Sequence, residues 1–208
     1  MAISILAVAV IFISFFILVP GRVVYNNLGF IQLFWTILRS CFVIGLAAAV
    51  VEEFAYRGVW LTLIEKKLGT LSAVCLPALF WTFLHLLGSD FSDITGSIIR
   101  IISVSYIGIV LSLVAIATNS VWNAVYFHWL WNFTSSGIIN IGTNINESVP
   151  INYILETDNI FLTGGSFGID GSIISLAGYT LLLATSVFYI KKYGVQFITP
   201  KNEHNKNI

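Results

Sequence analysis

Residues 40–64 of the chain read SCFVIGLAAAVVEEFAYRGVWLTLI, an apolar run bounded by charged residues on both sides. Crossing the hydrocarbon core of a bilayer, ~30 Å thick, takes about 20 mostly apolar residues in a helix. This run is long enough, so it predicts a membrane-spanning helix. It nevertheless carries Glu52, Glu53 and Arg57. Because an ionisable group inside a bilayer costs free energy, each of the three needs a partner, a water-filled cavity or a chemical task.

The composition of the whole chain agrees with a membrane protein. Of its 208 residues, 57% are hydrophobic and only 10% are charged, and ten acidic residues balance ten basic ones. Soluble domains carry roughly 25% charged residues, so lipid must replace water over much of this surface. We therefore expect membrane lipids as partners. The zero net charge argues against a nucleic-acid partner, and the many aliphatic and aromatic residues argue against a disordered chain.

Apolar stretches between charges predict about six spans and an all-α, polytopic transmembrane helix bundle. We expect one membrane-embedded domain over residues 1–208, in the cell membrane and multi-pass. The stretch Leu28–Leu38 is either an interfacial helix or an extension of the second span. A polar loop, Gly142–Gly171, is longer than a connection needs to be. The predicted spans are Ala2–Val19, residues 40–64, Leu71–Leu87, Ile101–Thr118, Val121–Ile141 and Ser172–Ile190.

The spacing of the three charges in the second span separates them into a pair and a single carboxylate. Glu53 and Arg57 are four residues apart, so they lie on one helix face and can form a charge-assisted ion pair. Glu52 is rotated by about 100° from Glu53 and faces elsewhere. An intramembrane carboxylate without a partner is a candidate general base or ion ligand.

Two other predicted spans carry polar groups four residues apart on one face. Trp81 and His85 lie at the end of the third span, and His128 and Asn132 lie in the fifth. A single His in an apolar helix is more often a hydrogen-bonded packing residue than a catalyst. Three helices with complementary polar faces, however, would satisfy one another if they converged, and we predict that they do.

Such a cluster can support more than one chemistry. A carboxylate and an imidazole can deprotonate water for attack on a carbonyl, while a second His and an Asn stabilise the oxyanion. We expect this reaction without a cofactor. Alternatively, Glu52, His85 and His128 could be three zinc ligands with water as the fourth. A Ser or Cys nucleophile is less favoured because no G-x-S-x-G motif is present. An ion carrier is less favoured because no inverted repeat is visible.

These residues resemble the CPBP membrane proteases, also called the CAAX-protease and bacteriocin-processing, or Abi, family. The first motif of that family, E-E-x-x-x-R, is matched fully at residues 52–57. The second, F-x-x-x-H, has Trp81 in place of the Phe and retains the histidine at His85. The third, H-x-x-x-N, is matched by His128 and Asn132. Each motif alone is weak, but three in order in a polytopic chain are specific.

The resemblance spans residues 40–135 and implies an all-helical intramembrane endopeptidase. By the match of motifs, Glu52 and His85 would activate water, and His128 and Asn132 would form the oxyanion hole. The substrate would be a membrane-associated peptide or a lipid-linked protein.

The resemblance also implies supporting residues and leaves a second function open. Glu53, Arg57 and Trp81 would support the catalytic groups rather than react. Some members of the family confer self-immunity beside bacteriocin genes, so a non-catalytic immunity or membrane binding protein is the alternative. Components of a peptide-export or bacteriocin system are expected partners in either case.

Overall fold

The computed structural model describes residues 2–87 and 93–194, and most of them are helical. The predicted all-α, membrane-type fold is confirmed, with a small sheet added to it. The helices are α1 (Ala2–Leu18), α2 and α3 (residues 30–68 and 70–86, the two arms of the helical run Phe30–Leu86), α4 (Ile94–Thr118), α5 (Val121–Phe133), α6 (Ile160–Thr163) and α7 (Ile173–Tyr193).

The helices α2 and α3 form a hairpin that turns at Gly69. This residue has φ 78° and ψ 172°, a conformation that glycine adopts at little cost. Beyond the turn the two arms pack against each other, with the rings of Trp60 and Phe80 4.7 Å apart. The turn falls between the predicted second and third spans. The stretch before the second span is an extension of it, because the helix runs on from Phe30 without a break.

Two π-helical turns, Ser40–Ala47 and Phe54–Trp60, flank the short α-helical segment Ala48–Glu53 within α2. A π-turn inserts an extra residue into a helical turn and so changes which side chains share a face; such turns occur frequently at functional sites. The second π-turn contains Arg57 and begins directly after the two glutamates.

The helix α4 lies at the centre of the bundle and contacts α3, α5 and α7. The largest apolar core is formed where α1, α4, α5 and α7 meet, and it includes the fully buried Phe15 and Leu111. Burial of aromatic and aliphatic side chains on four helices holds this half of the bundle together.

A three-stranded sheet was not predicted. Its strands are β1 (Gly21–Tyr25), β2 (Ile139–Gly142) and β3 (Ile151–Leu155), in the order β1-β3-β2, with β1 antiparallel and β2 parallel to β3. The end of the predicted fifth span and part of the predicted polar loop are therefore strands. Local sequence contains no strong strand pattern here, and one of the two partners of β3, the strand β1, lies far away in the chain, next to α1.

The prediction of six spans is not confirmed. In the described part of the chain, three helical segments are long and apolar enough to cross a membrane. The helix α1 has 17 residues, and α5 has only 13, because its predicted span ends in a π-turn and a strand. The three segments are Phe30–Leu86, Ile94–Thr118 and Gly165–Tyr193.

A close approach between α3 and α4 provides a test of the packing. A Cβ atom on Gly108 would lie 2.9 Å from the Cβ and 3.2 Å from the Cα of Ala78, neither of which can rotate away. We expect Gly108→Ala to lower the free energy of unfolding by about 1–3 kcal/mol. Thermal unfolding in detergent measures the change. The matched control is Gly58→Ala, whose new methyl group would meet nothing closer than 3.8 Å. Equal stability of the two variants would contradict the packing.

Candidate active site

The predicted ion pair in α2 is present and completely buried. Arg57 donates from Nη1 to Glu53 Oε1 over 2.9 Å, and the two side chains are 0% exposed. Arg57 Nη2 also donates to the carbonyl oxygen of Gly108, 3.1 Å away in α4. A charge-assisted pair in a dry interior needs such additional hydrogen bonds to offset desolvation. The pair therefore connects α2 with the central helix.

His128 of α5 joins the same carboxylate. Its Nδ1 lies 2.9 Å from Glu53 Oε1, a contact that the sequence analysis missed. When the carboxylate accepts a hydrogen bond from Nδ1–H, the orientation of the imidazole is determined, and Nε2 is the nitrogen available to a substrate. Glu53 thus contacts both Arg57 and His128, whereas the helical spacing predicted only Arg57 as its partner.

Glu52 has a partner other than Arg57 and His128. Trp81 of α3 donates from Nε1 to Glu52 Oε2 over 2.6 Å. Glu52 is partly exposed, in contrast to Glu53. A Phe at position 81 could not donate this hydrogen bond. The departure from the family motif therefore provides Glu52 with a hydrogen-bond donor.

The indole of Trp81 lies at the centre of the polar cluster. Its ring centroid is 4.6 Å from that of His85 and 5.8 Å from that of His128. The Arg57 guanidinium lies 4.8 Å from the centroid of the Trp81 ring. His85 is further oriented by Nδ1, which is 2.9 Å from the Trp81 carbonyl oxygen. The structure thus gathers the polar groups of three predicted spans around one aromatic side chain.

Asn132 is held by the first π-turn of α2. Its Nδ2 donates to the carbonyl oxygen of Ile44 over 3.3 Å. An amide nitrogen carries two hydrogens, so the second N–H of Asn132 can still donate to another acceptor.

A cavity of about 230 Å³ opens beside these residues. Its polar lining includes His85, His128 and Asn132, while Glu52 adjoins it through the Trp81 indole. The remaining walls are mainly apolar and aromatic. The full lining is Trp81, His85, Ser103, Val104, Ile107, Leu111, Phe127, His128, Trp131, Asn132, Phe167, Asp170 and Tyr179.

Sequence reasoning missed one carboxylate of the cavity, Asp170. It lies in the 3₁₀ segment Gly165–Gly171, and its Oδ1 accepts a hydrogen bond of 2.7 Å from Trp131 Nε1. In the sequence, only its place in a polar, glycine-rich loop could have indicated a functional role for Asp170. Gly164 and Gly168 have φ of 75° and 77°, so this path of the chain depends on glycine.

The segment Gly165–Gly171 is attached to the start of α4. The Ser166 hydroxyl donates to Asp93, the residue that caps α4 by accepting from the Gly96 backbone N–H. These two donors, the Gly96 N–H foremost, hold the pKa of the Asp93 carboxyl below its usual range. The Arg100 guanidinium also lies 4.8 Å from the Phe167 ring centroid. Phe167 and Asp170 are thereby brought to the cavity.

The alternative zinc site of Glu52, His85 and His128 does not fit this geometry. Among the residues that the structure describes, no three His, Cys, Asp or Glu side chains come together as metal ligands do.

The fold and the cluster define a helical membrane protein with a buried polar site, and comparison with known families gives its class. Residues 32–134 match the model of a family described as type II CAAX prenyl endopeptidase Rce1-like. The chain belongs to this CAAX-protease-like, or CPBP, family, which is described as one of endopeptidases. The match contains the whole of the three motifs. No curated protein and no solved structure matches the chain.

Removing the central carboxylate tests its structural importance. Glu53→Ala leaves the buried Arg57 guanidinium without its counter-charge, so we expect a loss of about 3–5 kcal/mol in the free energy of unfolding. Denaturant unfolding in detergent measures it. Glu52→Ala is the matched control, with a smaller loss, because that side chain is partly exposed and its hydrogen-bond donor, Trp81, is neutral. A Glu53→Ala variant as stable as the control would contradict the importance of the pair.

Proposed function

We propose that the protein is an intramembrane endopeptidase of the cell membrane that hydrolyses a peptide bond in a membrane-associated peptide or a lipid-linked protein. The observation that carries the proposal is the convergence of Glu52, His85 and His128 around Trp81, beside a cavity that Asn132 also lines. Membership of a CAAX-type endopeptidase family supports it.

Glu52 and His85 activate the attacking water. A carboxylate accepts a proton from water held between it and an imidazole, and the resulting hydroxide attacks the carbonyl carbon of the scissile bond. The C–N bond then breaks, and the leaving nitrogen takes up the proton. The hydrogen bond from Trp81 restricts the Glu52 side chain, which reduces the entropy lost in aligning base and water.

His128 and Asn132 stabilise the oxyanion. The second N–H of Asn132 and the Nε2–H of His128, when that nitrogen is protonated, are donors for the negative oxygen of the tetrahedral intermediate. Glu53 orients the His128 ring through Nδ1. Both donors are therefore held in place before the substrate arrives.

Single substitutions test the assignment. Against a panel of membrane-associated peptides, we expect Glu52→Ala and His85→Ala to lower kcat by about 10²–10⁴, the usual contribution of acid–base catalysis. Asn132→Ala should lower kcat by about 10²–10³ because it removes one oxyanion donor. The control is Glu156→Ala, which changes an exposed carboxylate outside the cavity. Turnover is measured by mass spectrometry at equal amounts of folded protein.

Normal turnover by Glu52→Ala would overturn the mechanism. If no peptide is cleaved by the wild type, and protection against a bacteriocin is retained by folded Glu52→Ala and His85→Ala variants, the protein is instead a non-catalytic immunity protein. Loss of turnover with a chelator and recovery with zinc would show that hydrolysis depends on a metal.

The hydrogen bond from Trp81 has a test of its own. Trp81→Phe keeps an aromatic ring between the histidines but removes the donor to Glu52. We expect the fold to persist and kcat to fall by about tenfold to a hundredfold, because the carboxylate is no longer aligned. Trp35→Phe is the control, since Trp35 is exposed on α2. An unchanged kcat for Trp81→Phe would show that this hydrogen bond does not serve the reaction.

A further inference from the structure

Asp170 differs from Glu53 in having no Lys or Arg partner among the described residues. Glu53 is paired with Arg57 and His128. Asp170 Oδ1 accepts a hydrogen bond from the neutral indole of Trp131, and among the described residues no Lys or Arg lies within salt-bridge distance of it. A carboxylate in an apolar surrounding is costly unless it is paired. Its position in the wall of the cavity suggests that the partner comes from outside the protein.

The other walls of the cavity also favour a cationic partner. Three aromatic side chains near Asp170, those of Phe127, Trp131 and Tyr179, line the cavity with it. Aromatic faces attract cations, most strongly where water is excluded. The protein already contains such a contact close by, because Arg100 lies against the Phe167 ring. A carboxylate beside aromatic walls is the arrangement that binds an alkylammonium or guanidinium group.

We propose that Asp170 is a specificity-determining residue that binds a basic side chain of the substrate next to the scissile bond. The proposal rests on the proposed function, since the cavity also contains His85, His128 and Asn132. Its volume of about 230 Å³ is below the size of whole-ligand pockets, ~300–1,000 Å³, so it suits one side chain rather than a complete peptide. Lys or Arg would place its apolar stem along Val104 and Leu111 and its charge at Asp170.

A binding experiment tests the proposal without requiring catalysis. Calorimetry of the purified protein in detergent compares n-butylammonium with n-butanol, a neutral molecule of similar size. For the wild type we expect n-butylammonium to bind at least about tenfold more tightly, as for a hydrogen bond to a charged group. Asp170→Asn, which keeps an acceptor for Trp131 and removes the charge, should abolish the difference. Asp158→Asn, an exposed carboxylate, is the matched control.

Equal binding of the two molecules by the wild type would overturn the proposal, and this comparison does not depend on the folding of any variant. Retention of the full preference by Asp170→Asn would overturn it as well, because the selectivity would then come from another group.

A cleavage experiment tests whether Asp170 contributes to substrate specificity. The peptide cleaved best by the wild type is prepared with Lys or norleucine at each position flanking the scissile bond. At one position we expect the kcat/KM of the wild type to be at least about tenfold higher for the Lys peptide than for the norleucine peptide. Asp170→Asn should abolish this preference for Lys, and Asp158→Asn should retain it. A ratio unaffected by Asp170→Asn would contradict the proposal. If no peptide is cleaved, the proposed function fails, and n-butylammonium binding alone decides the role of Asp170.

Discussion

The buried carboxylate of Glu53 is the interaction on which the site depends. It accepts from Arg57 within α2 and lies against His128 of α5, and Arg57 in turn donates to α4 through the Gly108 carbonyl. Three helices are thus connected through the fully buried pair of Glu53 and Arg57. In an apolar bundle, packing alone specifies the relative rotation of helices weakly, whereas a charge that must be satisfied permits few arrangements. This polar connection joins α2, α4 and α5 beside the cavity that His128 lines.

Next to the Glu53–Arg57 pair, Trp81 makes several contacts that the sequence motif did not predict. Its indole nitrogen holds Glu52, its carbonyl oxygen lies against His85, and its ring separates the two histidines. The side chain reaches this position because α3 folds back on α2 at Gly69. A large aromatic residue with one polar atom can pack in an apolar interior and still orient a carboxylate. The substitution of Trp for Phe is thus compatible with the motif and adds a hydrogen bond to it.

Much of the fold could be predicted from local patterns. Apolar runs between charges located α1, the α2–α3 hairpin, α4 and α7, because lipid-exposed helices need long stretches without charge. The sheet and the early end of α5 could not be predicted in this way. The strand β3 pairs with residues 21–25, more than a hundred positions earlier. Strand formation there depends on a partner brought near by the helices, and no local periodicity encodes such a partner.

For the site, the sequence by itself determined which residue types were out of place in a membrane, and helical spacing determined that Glu53 pairs with Arg57 while Glu52 faces elsewhere. Only the tertiary structure decided that His128 shares Glu53, that Trp81 binds Glu52 and that Asp170 reaches the cavity. The physical reason is that helical periodicity relates residues within a turn or two of each other. Contacts between helices that are distant in sequence depend on which helix faces pack together. That packing depends on all the helices of the bundle.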